Sequence, residues 1–158
     1  MKEGERYTLT VSGDWPSEQG VPLGTPFIKE FQAGPPDHKQ PDIKAWLLFS
    51  PRSGTRDQLL VELPEPLDWS LLHSGIYVQD PDGKPVPGKI KTGYGELNWQ
   101  FQSTAEWKPG QHRLAIGSVL EDLAGNSIER PFERDLKAKP AKAVPKTVYL
   151  EFNILPPE

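Results

Sequence analysis

The sequence contains no cysteine, which excludes disulfides, thiolate nucleophiles and Cys-ligated zinc. It has no apolar run near the ~18 residues that a membrane-spanning helix requires, so no membrane span is expected. Met1 is not followed by a charged-then-apolar leader, so no signal peptide is read in this stretch. Positive charge is not in excess: 18 Lys and Arg stand against 22 Asp and Glu, a net charge of −4. An acidic chain offers no electrostatic footprint for nucleic acid or an anionic membrane surface, and neither is expected as a partner. Catalytic signatures are missing too. There is no phosphate or dinucleotide glycine loop and no G-x-S-x-G elbow. His38, His73 and His112 lie far apart, none beside a second histidine at ligand spacing. Glu62, Glu65 and Asp68 cluster in sequence, but closeness along the chain does not set two carboxylates across a scissile bond. No catalytic residue is assigned, and the chain is not expected to be an enzyme.

What the chain does have is proline, 18 in 158 residues, with 14 glycines. That is more than twice the usual ~5 % proline and argues against a helix-rich fold. Five Trp, four Tyr and six Phe supply material for a core. They sit in short runs with a two-residue period, the spacing that puts alternate side chains on one face of a strand. Arg6–Ser12 places Tyr7, Leu9 and Val11 together. Phe27–Phe31, Ala45–Phe49, Gln58–Leu63, Gly75–Gln79, Lys89–Thr92, Glu96–Phe101, His112–Ile116 and Arg130–Glu133 follow as predicted strands, and Thr147–Ile154 as a last one. Turn sequences such as Asp80-Pro-Asp-Gly83 and Pro109-Gly110 separate them. Leu67–His73 reads as one helical turn with Asp68 near its start. Strands recurring every ~8–12 residues between Gly/Pro turns predict an all-β, immunoglobulin-like antiparallel β-sandwich with Greek-key connections. Leu60, Val61 or Leu63, Ile76, Val78, Trp99, Phe101, Leu114, Ile116, Ile128 and Phe132 are its expected inward positions.

An internal repeat organises the chain. Gly20-Val-Pro-Leu23-Gly-Thr-Pro26-Phe27 matches Gly125-Asn-Ser-Ile128-Glu-Arg-Pro131-Phe132 at a constant offset of 105 residues, and the same offset carries Leu9 to Leu114 and Val11 to Ile116. A period of that length suits one immunoglobulin-like domain of ~100 residues. Residues 1–34 then read as the closing hairpin of a truncated first repeat, and 35–41 as a Pro-rich linker. Residues 42–136 read as a complete sandwich, and 137–158 as a Pro/Lys-rich connector with a C-terminal strand. An isolated hairpin is marginal in water, so it is expected to pair with that tail strand or across a homo-oligomer interface.

Several motifs follow one another in a fixed order: Ser50-Pro-Arg-Ser-Gly54, Leu60-Val-Glu-Leu-Pro-Glu-Pro-Leu-Asp68, Val78-Gln-Asp-Pro-Asp-Gly83, Trp107-Lys-Pro-Gly110 and Leu120-Glu-Asp-Leu-Ala-Gly-Asn126. This order resembles the bacterial Ig-like domains of surface-layer and other envelope proteins. The resemblance covers about residues 45–135 and the hairpin at 4–32; in the hairpin Trp15-Pro-Ser-Glu-Gln-Gly20 replaces the D-x-A-G-N pattern. It implies a structural or interaction module, located outside the cytoplasm, with a protein or polysaccharide partner. The alternative is a carbohydrate-binding accessory domain of a secreted hydrolase, with Trp46 and Trp107 as the sugar-stacking platform. One loop offers hard oxygen donors for calcium, namely Glu121, Asp122 and Asn126; against that, Asp122 and Asn126 serve equally as hydrogen-bonding turn residues.

Overall fold

The computed structural model describes residues 1–132 and 145–156. The chain divides into two compact units, Met1–Asp37 and His38–Glu158. The first is a hairpin of β1 (Arg6–Val11) and β2 (Phe27–Gln32), antiparallel with Tyr7 opposite Phe31, Leu9 opposite Lys29 and Val11 opposite Phe27. Residues paired across antiparallel strands share a face. Tyr7, Leu9, Val11, Phe27 and Phe31 therefore lie on one side together with Lys29, and Arg6, Thr8, Thr10, Ile28, Glu30 and Gln32 on the other. The Tyr7 and Phe31 rings stack with centroids 6.0 Å apart.

The second unit contains β3 (Leu47–Phe49), β4 (Leu59–Glu62), α1 (Trp69–Ser74), β5 (Ile76–Gln79), β6 (Gly88–Thr92), β7 (Asn98–Ser103), β8 (Gly110–Gly117) and β9 (Thr147–Ile154). Its strands form a four-stranded sheet of order β3-β4-β7-β6 and a three-stranded sheet of order β5-β8-β9, with every pairing antiparallel. Leu59, Val61, Trp99 and Phe101 from the first sheet and Ile76, Val78, Leu114, Ile116, Phe152 and Ile154 from the second meet in one buried cluster. The unit is thus all-β and sandwich-like. Register builds this core: Val61 stands opposite Trp99 and Leu59 opposite Phe101, while Ile116 lies between Ile76 and Val148. Burying such side chains is worth about 1.5–3 kcal/mol each. Trp99 also satisfies its indole, donating from Nε1 to the Leu72 carbonyl at 2.9 Å. Among the described residues α1 is the sole α-helix. Asp68 caps it, accepting from the Leu71 amide at 2.8 Å.

Two sequence readings are corrected. Residues 130–132 form no strand, and Phe132 is 65 % exposed rather than inward; Glu133, the end of that predicted run, lies outside the described residues, as does most of the Pro/Lys-rich connector. The tail strand, read as a partner for the hairpin, instead runs the full length of β8, from Gly110 opposite Ile154 to Gly117 opposite Thr147. The physical reason is length and period. Eight residues with Val148, Leu150, Phe152 and Ile154 at alternate positions match all of β8, whereas the run at 130–133 carries one apolar residue behind a proline that cannot donate to a ladder.

Candidate functional site: two closing loops and an open sheet face

The loop after β8 is built on Asp122. Its buried carboxylate accepts from the backbone amides of Ala124 and Asn126 through Oδ1, at 2.8 and 2.9 Å, and from Asn126 Nδ2 through Oδ2 at 3.0 Å. Asn126 is buried as well, and its Oδ1 accepts from the Phe132 amide at 3.0 Å. Gly125 takes φ +85°, and a Cβ there would meet the Phe132 ring at 2.8 Å. Glu121 pairs with Ser127 in a single bridge, and its carbonyl accepts from the Asp68 amide. The three calcium candidates are therefore adjacent, but the Asp122 and Asn126 side chains tie the loop to itself.

The loop of the first unit repeats part of this backbone pattern. Ser17 N donates to Val21 O at 2.8 Å, where Asp122 N donates to Asn126 O at 3.0 Å. Gly20 N reaches Ser17 O, and Gly125 N reaches Asp122 O. Leu23 N to Trp15 O corresponds to Ile128 N to Leu120 O, and Gly24 N to Gly13 O corresponds to Glu129 N to Ser118 O. The isolated bridge Pro16–Pro22 corresponds to Glu121–Ser127, and Gly20 has φ +78°. Each member of these pairs lies 105 residues from its counterpart, as Gly20 does from Gly125. Ser17 Oγ even replaces the Asp122 carboxylate as acceptor for the amide four residues on, at 3.2 Å.

The aromatic candidates fall elsewhere. Trp46 and Trp107 are buried, with 5 % and 3 % of their surface exposed, so neither offers a ring face to a sugar. Trp107 closes one end of the sandwich: its Nε1 donates to Asp57 O at 2.8 Å, and its ring meets Phe101, His112 and Phe152 edge-on. Trp15 and Trp69 are the exposed tryptophans; Trp69 packs against His73 at a tilt of 35°, 4.3 Å between centroids. His112 is buried against Phe152, and no second histidine is placed beside it among the described residues. An open groove of about 590 Å³ has Arg52 as its one charged liner. Arg52 is held by Asp57 at 2.8 Å; that hydrogen bond lowers the Asp57 carboxyl below its ordinary value and raises the guanidinium. A smaller cleft of about 170 Å³ lies beside Trp107, His112, Asp80 and Glu106. Neither hollow shows a nucleophile aligned with a base among its described residues.

What the alternation alone did not indicate is how differently the two hairpins are covered. Leu114 is buried while Leu9 is 50 % exposed; Leu120 is buried while Trp15 is 62 % exposed. Comparison with family models, with curated proteins and with solved structures gives no match.

Proposed function

We propose that the chain is a non-catalytic structural or interaction module of immunoglobulin-like type, acting outside the cytoplasm. The observation that carries this reading is the recurrence of four backbone hydrogen bonds of one closing loop at a fixed offset of 105 residues, as from Gly20 to Gly125. Tandem copies of one fold suit spacing, display and docking. The strand orders β3-β4-β7-β6 and β5-β8-β9 also support it, since they correspond to the four-plus-three arrangement of constant-type immunoglobulin domains. The linkage of β4 to β5 across the two sheets fits a Greek-key path. Among the buried charged and polar groups of the second unit, Asp122, Asn126 and Ser118 hold its loops together. Export follows from the resemblance to bacterial envelope modules.

The test is binding and location. Cell fractionation should place the native protein in the envelope or the medium, and insoluble polysaccharide should not retain it. Retention that disappears with Trp69→Ala would replace this reading with carbohydrate binding.

A further inference from the structure

We propose that the face of β1 and β2 carrying Tyr7, Leu9, Val11, Phe27 and Phe31 takes the first five strands of a second sandwich, supplied by chain of the same fold running ahead of β1. This rests on the tandem reading above and states what the open hairpin is for. The second unit is the template. There β8 is a central strand, flanked by β9 on one side and β5 on the other, with the four-stranded sheet across its inner face. The loop equivalence sets β1 on β8, and the pairing sets β2 on β9. Tyr7 opposite Phe31 corresponds to His112 opposite Phe152, and both ring pairs are stacked, at 6.0 Å and 27° and at 5.6 Å and 29°.

The free edge of β1 fits the same scheme. Ala33 N donates to Glu5 O at 2.9 Å. By the alternation of an antiparallel ladder, the amides of Tyr7, Leu9 and Val11 then face β2, and those of Thr8 and Thr10 face the open edge. In the second unit the corresponding edge is filled by β5: Arg113 stands opposite Gln79 and Ala115 opposite Tyr77, and Gly117 N donates to Gly75 O at 2.8 Å. What belongs on β1 is thus an antiparallel strand with inward apolar residues in the manner of Ile76 and Val78, followed by a sheet like β3-β4-β7-β6. In the second unit these strands precede β8 along the chain, and this order assigns the source.

The experiment fuses a second copy of residues 38–107 directly ahead of Lys2 in the full chain and reads amide hydrogen exchange. Thr8 and Thr10 should exchange at least ~100-fold more slowly than in the unextended chain, and Leu9→Asp should abolish that protection. Unchanged exchange at Thr8 and Thr10 overturns the proposal. So does protection that appears in the unextended chain as its concentration rises, because the occupant is then a second copy. A second variant tests the equivalence on a scaffold that is already covered, with residues 16–24 replacing 121–129 in the second unit. Protected β8 and β9 amides are expected; their loss would mean that the two loops are not interchangeable and would overturn the alignment. Protection of β4 and β7 in the original 38–158 unit reads out separately, and its absence would count against the module reading itself.

Discussion

Leu9 and Leu114 lie 105 residues apart in strands each followed by a loop that shares four backbone hydrogen bonds, yet one is half exposed and the other has no exposed surface. The difference lies in what is stacked above them. Around Leu114 the ladder continues on both sides and a second sheet closes the core; among the described residues β1 pairs with β2 alone. The comparison separates two contributions that are ordinarily inseparable. Backbone turn chemistry recurs in both units, even where Ser17 and Val21 stand in place of Asp122 and Asn126. Side-chain burial, the larger energy, is present in one.

Substitutions at equivalent positions turn that contrast into numbers. The largest effect is expected for Leu114→Ala, about 2–5 kcal/mol of destabilisation from lost burial and the cavity left behind. Leu9→Ala should stay within ~0.5 kcal/mol. Chemical denaturation followed by the emission of buried Trp99 reads the former, and equal effects at both sites would break the comparison. Next is Asp122→Ala, which leaves the buried Asn126 amide and two backbone donors without their acceptor and should cost about 1–3 kcal/mol. Ser17→Ala, in an exposed loop, should cost a few tenths. A loop already closed by its own donors gains little from a cation, so millimolar calcium followed by chelator should leave the melting midpoint where it is; a rise with calcium would show that the folded state binds it.

Gly125→Ala and Gly20→Ala sharpen the contrast further. Both impose a left-handed backbone on alanine, about 1–2 kcal/mol. Only at Gly125 does the new Cβ also strike the Phe132 ring, while at Gly20 nothing lies within 4 Å. Gly125→Ala should therefore show the larger drop in thermal midpoint, read by circular dichroism. The smallest effect is expected at Asp57. Its folded pKa is lowered, chiefly by the hydrogen bond from Arg52, so its contribution is present above the unfolded value near ~4 and fades as pH falls through the folded one. Both groups are exposed to solvent, which screens the pair. Asp57→Asn should flatten the acid limb of the stability curve by an amount near the limit of detection, and a large change at neutral pH would contradict the assignment.

Much of this was legible in the sequence. Two-residue alternation located β1 to β9 to within a few residues, and the sequence match that aligns Gly20 with Gly125 picked out two glycines that both take positive φ. The closing strand of the second unit was misplaced because the constant offset was carried too far. Phe27 begins β2, but Phe132, 105 residues on, does not begin a strand; the structural counterpart of Phe31 is Phe152, 121 residues on. The extra chain lies between Phe132 and Thr147, where the alternation lapses. Trp46 and Trp107 were ambiguous for a different reason. Trp107 lies outside the alternating runs, Trp46 falls in the run Ala45–Phe49 but just ahead of β3, and tertiary placement decides the burial of both.

The central claim is that two hairpins with matching loop hydrogen bonds differ in what covers their strands. Native-state hydrogen exchange on the intact chain tests it at four amides. Arg113 and Ala115, facing β5, should exchange only with global unfolding of the second unit, while Thr8 and Thr10, at the matching positions of β1, should exchange within about tenfold of an unstructured chain. Comparable protection at all four amides would show that the edge of β1 is already occupied and would contradict the account.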